Sequence, residues 1–352
     1  MEILLKLTIF ISALYEVHAN WMYLGLSSVG VVPVPDSCGR IPGLVQPQLE
    51  VCQNNPEALP CVSEGARRGI IECKNQFKFE RWNCTTNSRN SSVFGPVLHQ
   101  GTRETAFIYA ITSAGVVHAV TQSCSAGNLT DCACDVSKAG LPTPEGWTWG
   151  GCSDNIKYGM QFGKKFVDAP ERYRRNLGTT RERVRIMMNL HNNEAGRKII
   201  QAGMKTECRC HGVSGSCAIK TCWKVMPTFS EVGALLKDKY EKSVEIAPRA
   251  KRKLRRRERQ RRRVPIKDTE IVHIAASPNY CRANSKNGIL GTKGRECNKK
   301  SRGADSCNLL CCGRGYNTEV IRHVERCHCK FMWCCYVKCK ICETMIDQHT
   351  CK

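Results

Sequence analysis

Residues 208–223 read Cys-Arg-Cys-His-Gly-Val-Ser-Gly-Ser-Cys-Ala-Ile-Lys-Thr-Cys-Trp. Four cysteines, Cys208, Cys210, Cys217 and Cys222, bracket a small tip, Gly212-Val213-Ser214-Gly215-Ser216. Two nested disulfides, Cys208–Cys222 outside and Cys210–Cys217 inside, would make this a stapled hairpin that holds one serine out in solvent. A hydroxyl displayed in this way suits a modification site or a nucleophile. Glycine and serine also form turns for conformational reasons alone, so the tip taken by itself leaves all three readings open. The nucleophile reading is the poorest fit. The tip lacks the final glycine of a G-x-S-x-G elbow, and its flanks read as a hairpin, not a strand-to-helix turn. His191 and Asp154 could complete a triad, but nothing in the sequence brings them to Ser214.

The compartment follows from the N-terminus and the cysteines. Lys6 is the only early positive charge, an apolar run spans residues 3–14, and Val17-His18-Ala19 offers a cleavage site, so residues 1–19 read as a secretory signal peptide. The run is short for a membrane span, and no later stretch approaches the roughly 18 apolar residues that one needs. There are 25 cysteines in the 352 residues, thirteen between Cys38 and Cys222 and twelve between Cys281 and Cys351. In a secreted chain that density means a disulfide framework. Zinc is disfavoured, because structural zinc pairs usually leave two to four residues between cysteines. Here Cys132/Cys134, Cys208/Cys210 and Cys327/Cys329 leave one, and Cys311-Cys312 and Cys334-Cys335 leave none. Sequons at Asn83, Asn90 and Asn128 agree with the secretory route.

The formal net charge is +23, and residues 249–263 hold eleven basic residues against one acid. Behind a signal peptide the matching polyanion is a sulfated glycan such as heparan sulfate, not nucleic acid. Arg255, Arg256, Arg257, Arg261, Arg262 and Arg263 are the candidate contacts. Arg259-Gln260-Arg261-Arg262 also fits a furin-type processing pattern.

Apolar spacing divides the chain. Phe107, Ala110, Ile111, Ala114, Val117 and Val120 recur at helical intervals after a plausible Thr102 N-cap, with Glu104 favouring the first turn. Weaker helical patterns cover the first half of residues 64–83 and residues 155–166, 184–204 and 229–240. Beyond Cys281 this periodicity is lost, and the β-favouring runs at residues 318–321 and 333–337 are short. The expected fold is a mainly α N-terminal domain, residues 20–245, carrying the 208–222 hairpin. A basic linker, 246–270, then leads to a small disulfide-rich, β-hairpin C-terminal domain, 271–352.

Several segments, in order, resemble signatures of the Wnt family of secreted, lipid-modified signalling glycoproteins. Besides the hairpin, these are residues 76–84 (QFKFERWNC), 103–107 (RETAF), 149–154 (WGGCSD) and 188–193 (MNLHNN). In the second half they are residues 294–297 (GREC), 311–316 (CCGRGY) and 327–335 (CHCKFMWCC). The match covers roughly residues 38–352. The opening Asn20-Trp21-Met22-Tyr23-Leu24-Gly25 and the basic linker resemble the sixteenth vertebrate subgroup.

The resemblance implies a disulfide map. In the first domain it gives Cys73–Cys84, Cys124–Cys132, Cys134–Cys152, Cys208–Cys222 and Cys210–Cys217. In the second it gives Cys281–Cys312, Cys297–Cys307, Cys311–Cys351, Cys327–Cys342, Cys329–Cys339 and a vicinal Cys334–Cys335. Cys38 and Cys52 remain for a further bridge, which leaves Cys61 over; Cys61 departs from the family pattern.

The resemblance also implies a non-enzymatic ligand carrying a palmitoleoyl group on Ser214, with Ser216 matching the family's unmodified serine. An acyltransferase would attach the lipid and a carrier would shield it. The acylated hairpin and a tip formed by Phe331, Met332, Trp333, Cys334 and Cys335 would grip the cysteine-rich domain of Frizzled receptors. A low-density-lipoprotein-receptor-related coreceptor would use another surface. Two readings from other classes are a secreted serine hydrolase using Ser214 and a heparin-binding extracellular matrix protein.

Overall fold

The computed structural model describes residues 20–26, 38–39, 41–86, 92–174, 179–249 and 253–352. The signal-peptide assignment, Asn90, Lys251 and Arg252 lie outside them. Two compact units emerge: residues 1–76 with 84–277, and residues 77–83 with 278–352.

The first unit is built from helices α1 (Gln46–Asn54), α2 (Leu59–Gln76), α3 (Arg103–Ser125), α4 (Ile156–Val167), α5 (Ala169–Arg174), α6 (Thr180–Ala202) and α7 (Phe229–Glu241). Five short strands accompany them: β1 (Thr148–Trp149), β2 (Lys205–Cys210), β3 (Lys220–Val225), β4 (Val244–Glu245) and β5 (Val272–His273). Helix α3 begins where its sequence predicts. The Thr102 hydroxyl accepts from Thr105 N at 3.5 Å, and Glu104 sits in the first turn beside the positive end of the helix dipole. Its burial is more complete than an amphipathic reading implies. Every residue from Glu104 to Thr121 is buried, polar ones included, so α3 is a central helix with neighbours on all sides.

Two neighbours come close enough to require glycine. A Cβ at Gly65 of α2 would lie 2.5 Å from Val116 Cα, and one at Gly115 of α3 would lie 2.1 Å from Gly65 O. On another face, a Cβ at Gly196 of α6 would meet Ala110 O at 2.0 Å. Arg197 follows it, 1 % exposed, and places its guanidinium against Asp168 in a bidentate pair at 2.9 and 3.0 Å, with a further bond to Ser113 Oγ on α3 at 3.1 Å.

The expected linker is partly structured. Ile246, Ile271 and Val272 are fully buried, β4 pairs in parallel with β5, and Asn192 bonds both backbone groups of Val272, at 2.9 and 3.0 Å. Residues through Ser277 therefore belong to the first unit. Ile246 on one side of the basic run and Ile271 and Val272 on the other draw the chain onto the core, while Arg255, Arg257, Arg259 and residues 261–263 stay at the surface.

The second unit contains β6 (Glu296–Cys297), the short helix α8 (Cys307–Leu310), β7 (Tyr316–Met332) and β8 (Tyr336–Cys351) in a sheet of order β6-β8-β7. It also takes in residues 77–83, which follow the end of α2 at Gln76. Arg295 explains their position, donating to the carbonyls of Lys78, Glu80 and Arg81 at 3.0, 2.7 and 3.0 Å. Strands β7 and β8 run 17 and 16 residues, far longer than the short runs read from sequence, and most of their side chains are exposed. With little core to face, hydrophobic alternation does not mark them.

Disulfides join Cys38–Cys52, Cys73–Cys84, Cys124–Cys132, Cys134–Cys152, Cys208–Cys222 and Cys210–Cys217 in the first unit. In the second they join Cys281–Cys312, Cys297–Cys307, Cys311–Cys351, Cys327–Cys342 and Cys329–Cys339. Cys61 is a buried thiol 3.2 Å from Ser123 Oγ, and burial pushes its pKa up. The vicinal pairing departs from the implied map. Cys334 and Cys335 are free thiols with sulfurs 3.2 Å apart, well beyond the roughly 2.04 Å of an S–S bond. Closing so small a ring would force both residues to rearrange. Among the described residues, no helix is long and apolar enough to cross a membrane.

The buried ion pair sets a stability test. Asp168→Ala leaves Arg197 charged and desolvated, and the expected loss is about 3–5 kcal/mol, read from denaturant unfolding. A loss below about 1 kcal/mol would mean that Glu194 and water suffice for the guanidinium.

Candidate functional site: two stapled hairpin tips

Strands β2 and β3 pair antiparallel with Cys208 opposite Cys222, and their Cα atoms are 4.0 Å apart. The inner bridge, Cys210–Cys217, has Cα atoms 4.5 Å apart. Above the ladder the backbone continues to satisfy itself. His211 N donates to Ile219 O at 2.8 Å, and Gly212 N to Ser216 O at 2.8 Å. Gly215 N then donates to Gly212 O at 2.9 Å, and Ser216 N to Val213 O at 3.1 Å. Gly212 is required by space, because a Cβ there would lie 2.0 Å from Ser216 Oγ.

Ser214 stands at the apex, exposed, with φ 57° and ψ 26°. A left-handed non-glycine residue costs on the order of 1–2 kcal/mol, so the tip holds this serine against its own preference. Val213, 90 % exposed, and Ile219 place apolar surface on either side of it, a feature not singled out from the sequence.

The hairpin's root is tied to α3. Asp154 accepts from the Ser125 hydroxyl at 2.6 Å and from Met226 N at 2.8 Å, and its own amide donates to Lys224 O at 2.8 Å. Strand β1 lies parallel to β3, with Trp149 beside Cys222 and Lys138 and Lys224 over the indole at 5.0 and 5.6 Å. The two candidate triad partners of Ser214 are thus engaged elsewhere. Both carboxylate oxygens of Asp154 are occupied in anchoring. His191 Nε2 bonds Glu270 O at 2.8 Å, and burial lowers the imidazole's pKa. Among the described residues no imidazole or carboxylate bonds the Ser214 hydroxyl.

The second tip closes β7 and β8. Lys330, Phe331 and Met332 pair with Lys338, Val337 and Tyr336, above a register shift between Cys327 and Lys330. Trp333 is 94 % exposed, Phe331 and Met332 are exposed as well, and Cys334 and Cys335 turn the chain at φ 68° and 95°. Trp333 is thus a displayed side chain, not a packed one.

The remaining candidate positions differ in access. Asn128 is exposed, and Glu57 bonds both Thr130 N and its hydroxyl, at 3.2 and 2.9 Å. Asn83 is half-buried beside the bridged Cys84. In the basic run, Arg255, Arg257, Arg261, Arg262 and Arg263 are exposed. Arg256 is not: its side chain is 14 % exposed and held by Glu270 at 2.9 and 3.0 Å. Arg257 pairs with Glu245 and remains exposed.

A disulfide-framed chain that displays two hairpin tips, one bearing a lone serine and the other an aromatic cluster, is built as a ligand. The Wnt family model matches residues 40–352. Protein Wnt-16 of Bos taurus is 55 % identical over 340 residues, spanning 95 % of this chain and 92 % of the relative. Protein Wnt-16 of Mus musculus is 56 % identical over 343 residues, spanning 95 % and 93 %. Among solved structures, a chain of "Human WLS in complex with WNT8A" superimposes with a TM-score of 0.61 at 39 % identity, covering 84 % of this chain and 94 % of that one. The chain belongs to the Wnt family. It is a secreted Wnt signalling ligand, a class that is not enzymatic.

The inner staple can be tested directly. In the double variant Cys210→Ser/Cys217→Ser, amide exchange at Gly212, Gly215 and Ser216 should rise about tenfold or more, with α3 unaffected. Unchanged exchange at those three amides would show that the turn's hydrogen bonds hold the tip without the bridge.

Proposed function

We propose that Ser214 carries a palmitoleoyl chain and that the acylated hairpin and the Phe331–Trp333 tip together grip the cysteine-rich domain of a Frizzled receptor. The observation that carries this reading is the exposed, left-handed Ser214 at the apex of a doubly bridged hairpin. A hydroxyl held in that way is reachable by an acyltransferase, and its lipid points away from the protein's own core. At about 0.8 kcal/mol per buried methylene, a chain of roughly fourteen such groups is worth on the order of 10 kcal/mol gross, before the costs of association. Val213 and Ile219 add apolar surface at the mouth of whatever groove receives it.

One acyl chain anchors a protein to membranes only marginally, so a shielding carrier is part of the reading. The relative that aligns structurally was solved with WLS, and a carrier of that kind suits this hairpin. At the other tip, an indole standing free beside Phe331 and Met332 has the character of an interface hot spot. A low-density-lipoprotein-receptor-related coreceptor would engage a further surface. The exposed arginines of residues 255–263 would retain the ligand on heparan sulfate in the extracellular matrix, with N-linked glycans at Asn83, Asn90 and Asn128.

Three measurements test these roles. Ser214→Ala should abolish lipid on the peptide spanning Cys210 to Cys217, together with receptor activation, while leaving the unfolding midpoint unchanged; an unlipidated wild-type peptide would remove the basis of the reading. Trp333→Ala should cost roughly 2 kcal/mol or more of affinity for a Frizzled cysteine-rich domain with normal secretion. Unchanged affinity would exclude the second tip as a contact. Neutralising Arg255, Arg261, Arg262 and Arg263 should lower the salt concentration at which the protein leaves heparin, whereas Arg256→Gln should mainly destabilise the fold.

A further inference from the structure

The basic run contains a bond whose surroundings suit a different event. Residues 259–263 are all exposed. They form a turn in which Arg262 N meets Arg259 O at 3.4 Å and Val264 N meets Arg261 O at 3.0 Å, with one loose ion pair, Arg261–Glu258 at 3.8 Å. Opening such a turn into the extended form that an endoprotease binds disturbs few contacts, and exposed tips of this kind are where nicking concentrates. The flanks are firmly held. Arg257 N donates to Glu245 O and Ala247 N to Arg255 O, each at 2.9 Å, while Lys267 N donates to Glu270 Oε2 at 2.8 Å on the far side.

We propose that the Arg262–Arg263 bond is cut by a furin-type, basic-directed endoprotease of the secretory route, and that the nicked protein persists as one non-covalent, two-chain ligand. In the cut, the oxygen of water adds to the Arg262 carbonyl carbon and the C–N bond to Arg263 breaks. Arg262 is left as a carboxylate and Arg263 as a protonated amine. Arg259, Arg261 and Arg262 supply the cationic pattern that an acidic protease cleft recognises.

Persistence follows from how the two pieces are interleaved. No disulfide spans the bond, because the bridges of the first unit end at Cys222 and those of the second begin at Cys281. Each piece nevertheless supplies a segment to a unit made mainly by the other. The C-terminal piece inserts residues 270–277 into the first unit. Ile271 and Val272 are fully buried there, Val244 N and Ile246 N donate to Ile271 O and His273 O at 2.8 Å, and Asn192 bonds Val272. Gly101 O receives both Ile274 N and Ala275 N, at 2.9 and 3.1 Å, and Ser277 donates to Glu104 at 2.8 Å. The N-terminal piece in turn gives residues 77–83 to the second unit. There Phe77 and Trp82 are buried, Arg295 gathers three carbonyls, and Arg81 donates to Leu309 O at 3.1 Å. Separation of the pieces would require both insertions to come out.

The test uses secreted full-length protein and purified furin. The expected result is loss of the intact band on a non-reducing denaturing gel, a new N-terminus at Arg263, and an unchanged elution volume on size exclusion without denaturant. In the double variant Arg259→Ala/Arg262→Ala no new N-terminus at Arg263 should appear under the same treatment. If the folded protein resists conditions that cut a peptide of residues 255–267, the fold shields the bond and the proposal fails. It fails equally if the first cut falls elsewhere, or if the two pieces elute apart without denaturant.

Discussion

Helix α3 has no solvent face over most of its length, so its polar groups look for partners inside the protein, and among the buried ones Thr121 Oγ1 is left without one. Those partners organise the first unit. Glu104 accepts from Tyr240 of α7 and from Ser277, Ser113 accepts from Arg197 of α6, and Ser125 donates to Asp154. His118 bonds Pro227 O at 3.1 Å through Nε2 and meets the Arg68 guanidinium at 3.2 Å through Nδ1. With the guanidinium donating, Nδ1 accepts and Nε2 carries the proton; burial favours the same neutral form by lowering the imidazole's pKa. Pro227 and Asp154 both belong to the root of the stapled hairpin, so the position of Ser214 is fixed by polar groups on a helix remote from the tip.

The two units reach order by different means. The first has a continuous apolar core closed by helix contacts so tight that Gly65, Gly115 and Gly196 cannot carry a side chain. The second has a small cluster formed by Cys297, Cys307, Leu310, Cys311 and Cys351, and five bridges within 75 residues of chain stand in for the missing core. A two-stranded ribbon alone is at best marginally stable.

This division explains which parts could be read from the sequence. The spacing from Phe107 to Val120 located α3 and the Thr102 cap located its start, because its larger apolar residues recur at helical intervals even though the smaller and polar residues between them are buried too. The 208–222 hairpin was legible from its cysteines and glycines. Helices α1 and α5 carry too few apolar residues to signal themselves, and the ribbon's strands carry no inward face to alternate with. Val320, Val324, Ile341 and Met345 are all exposed on the ribbon, so their pattern reports no burial. The exchange of residues 77–83 and 270–277 leaves no local signal either, since it depends on partners such as Arg295 and Asn192 that lie far away in the chain. Arg256 is the sharpest case: within the charge run it is indistinguishable from its neighbours, and only Glu270 sets it apart.

The placement of the bridges separates local shape from position. In the 205–225 hairpin Cys208–Cys222 bridges the fourth of six ladder pairs and Cys210–Cys217 lies beneath the apex, and Asp154 ties the root to α3, so shape and position are both fixed. In the long ribbon, Cys327–Cys342 and Cys329–Cys339 sit near the distal end, while residues 316–326 are held to 341–351 by the backbone ladder with Cys311–Cys351 at the base. Two-stranded ribbons twist more readily than wider sheets. The Phe331–Trp333 tip therefore keeps its form while the shaft beneath it can accommodate a change in direction.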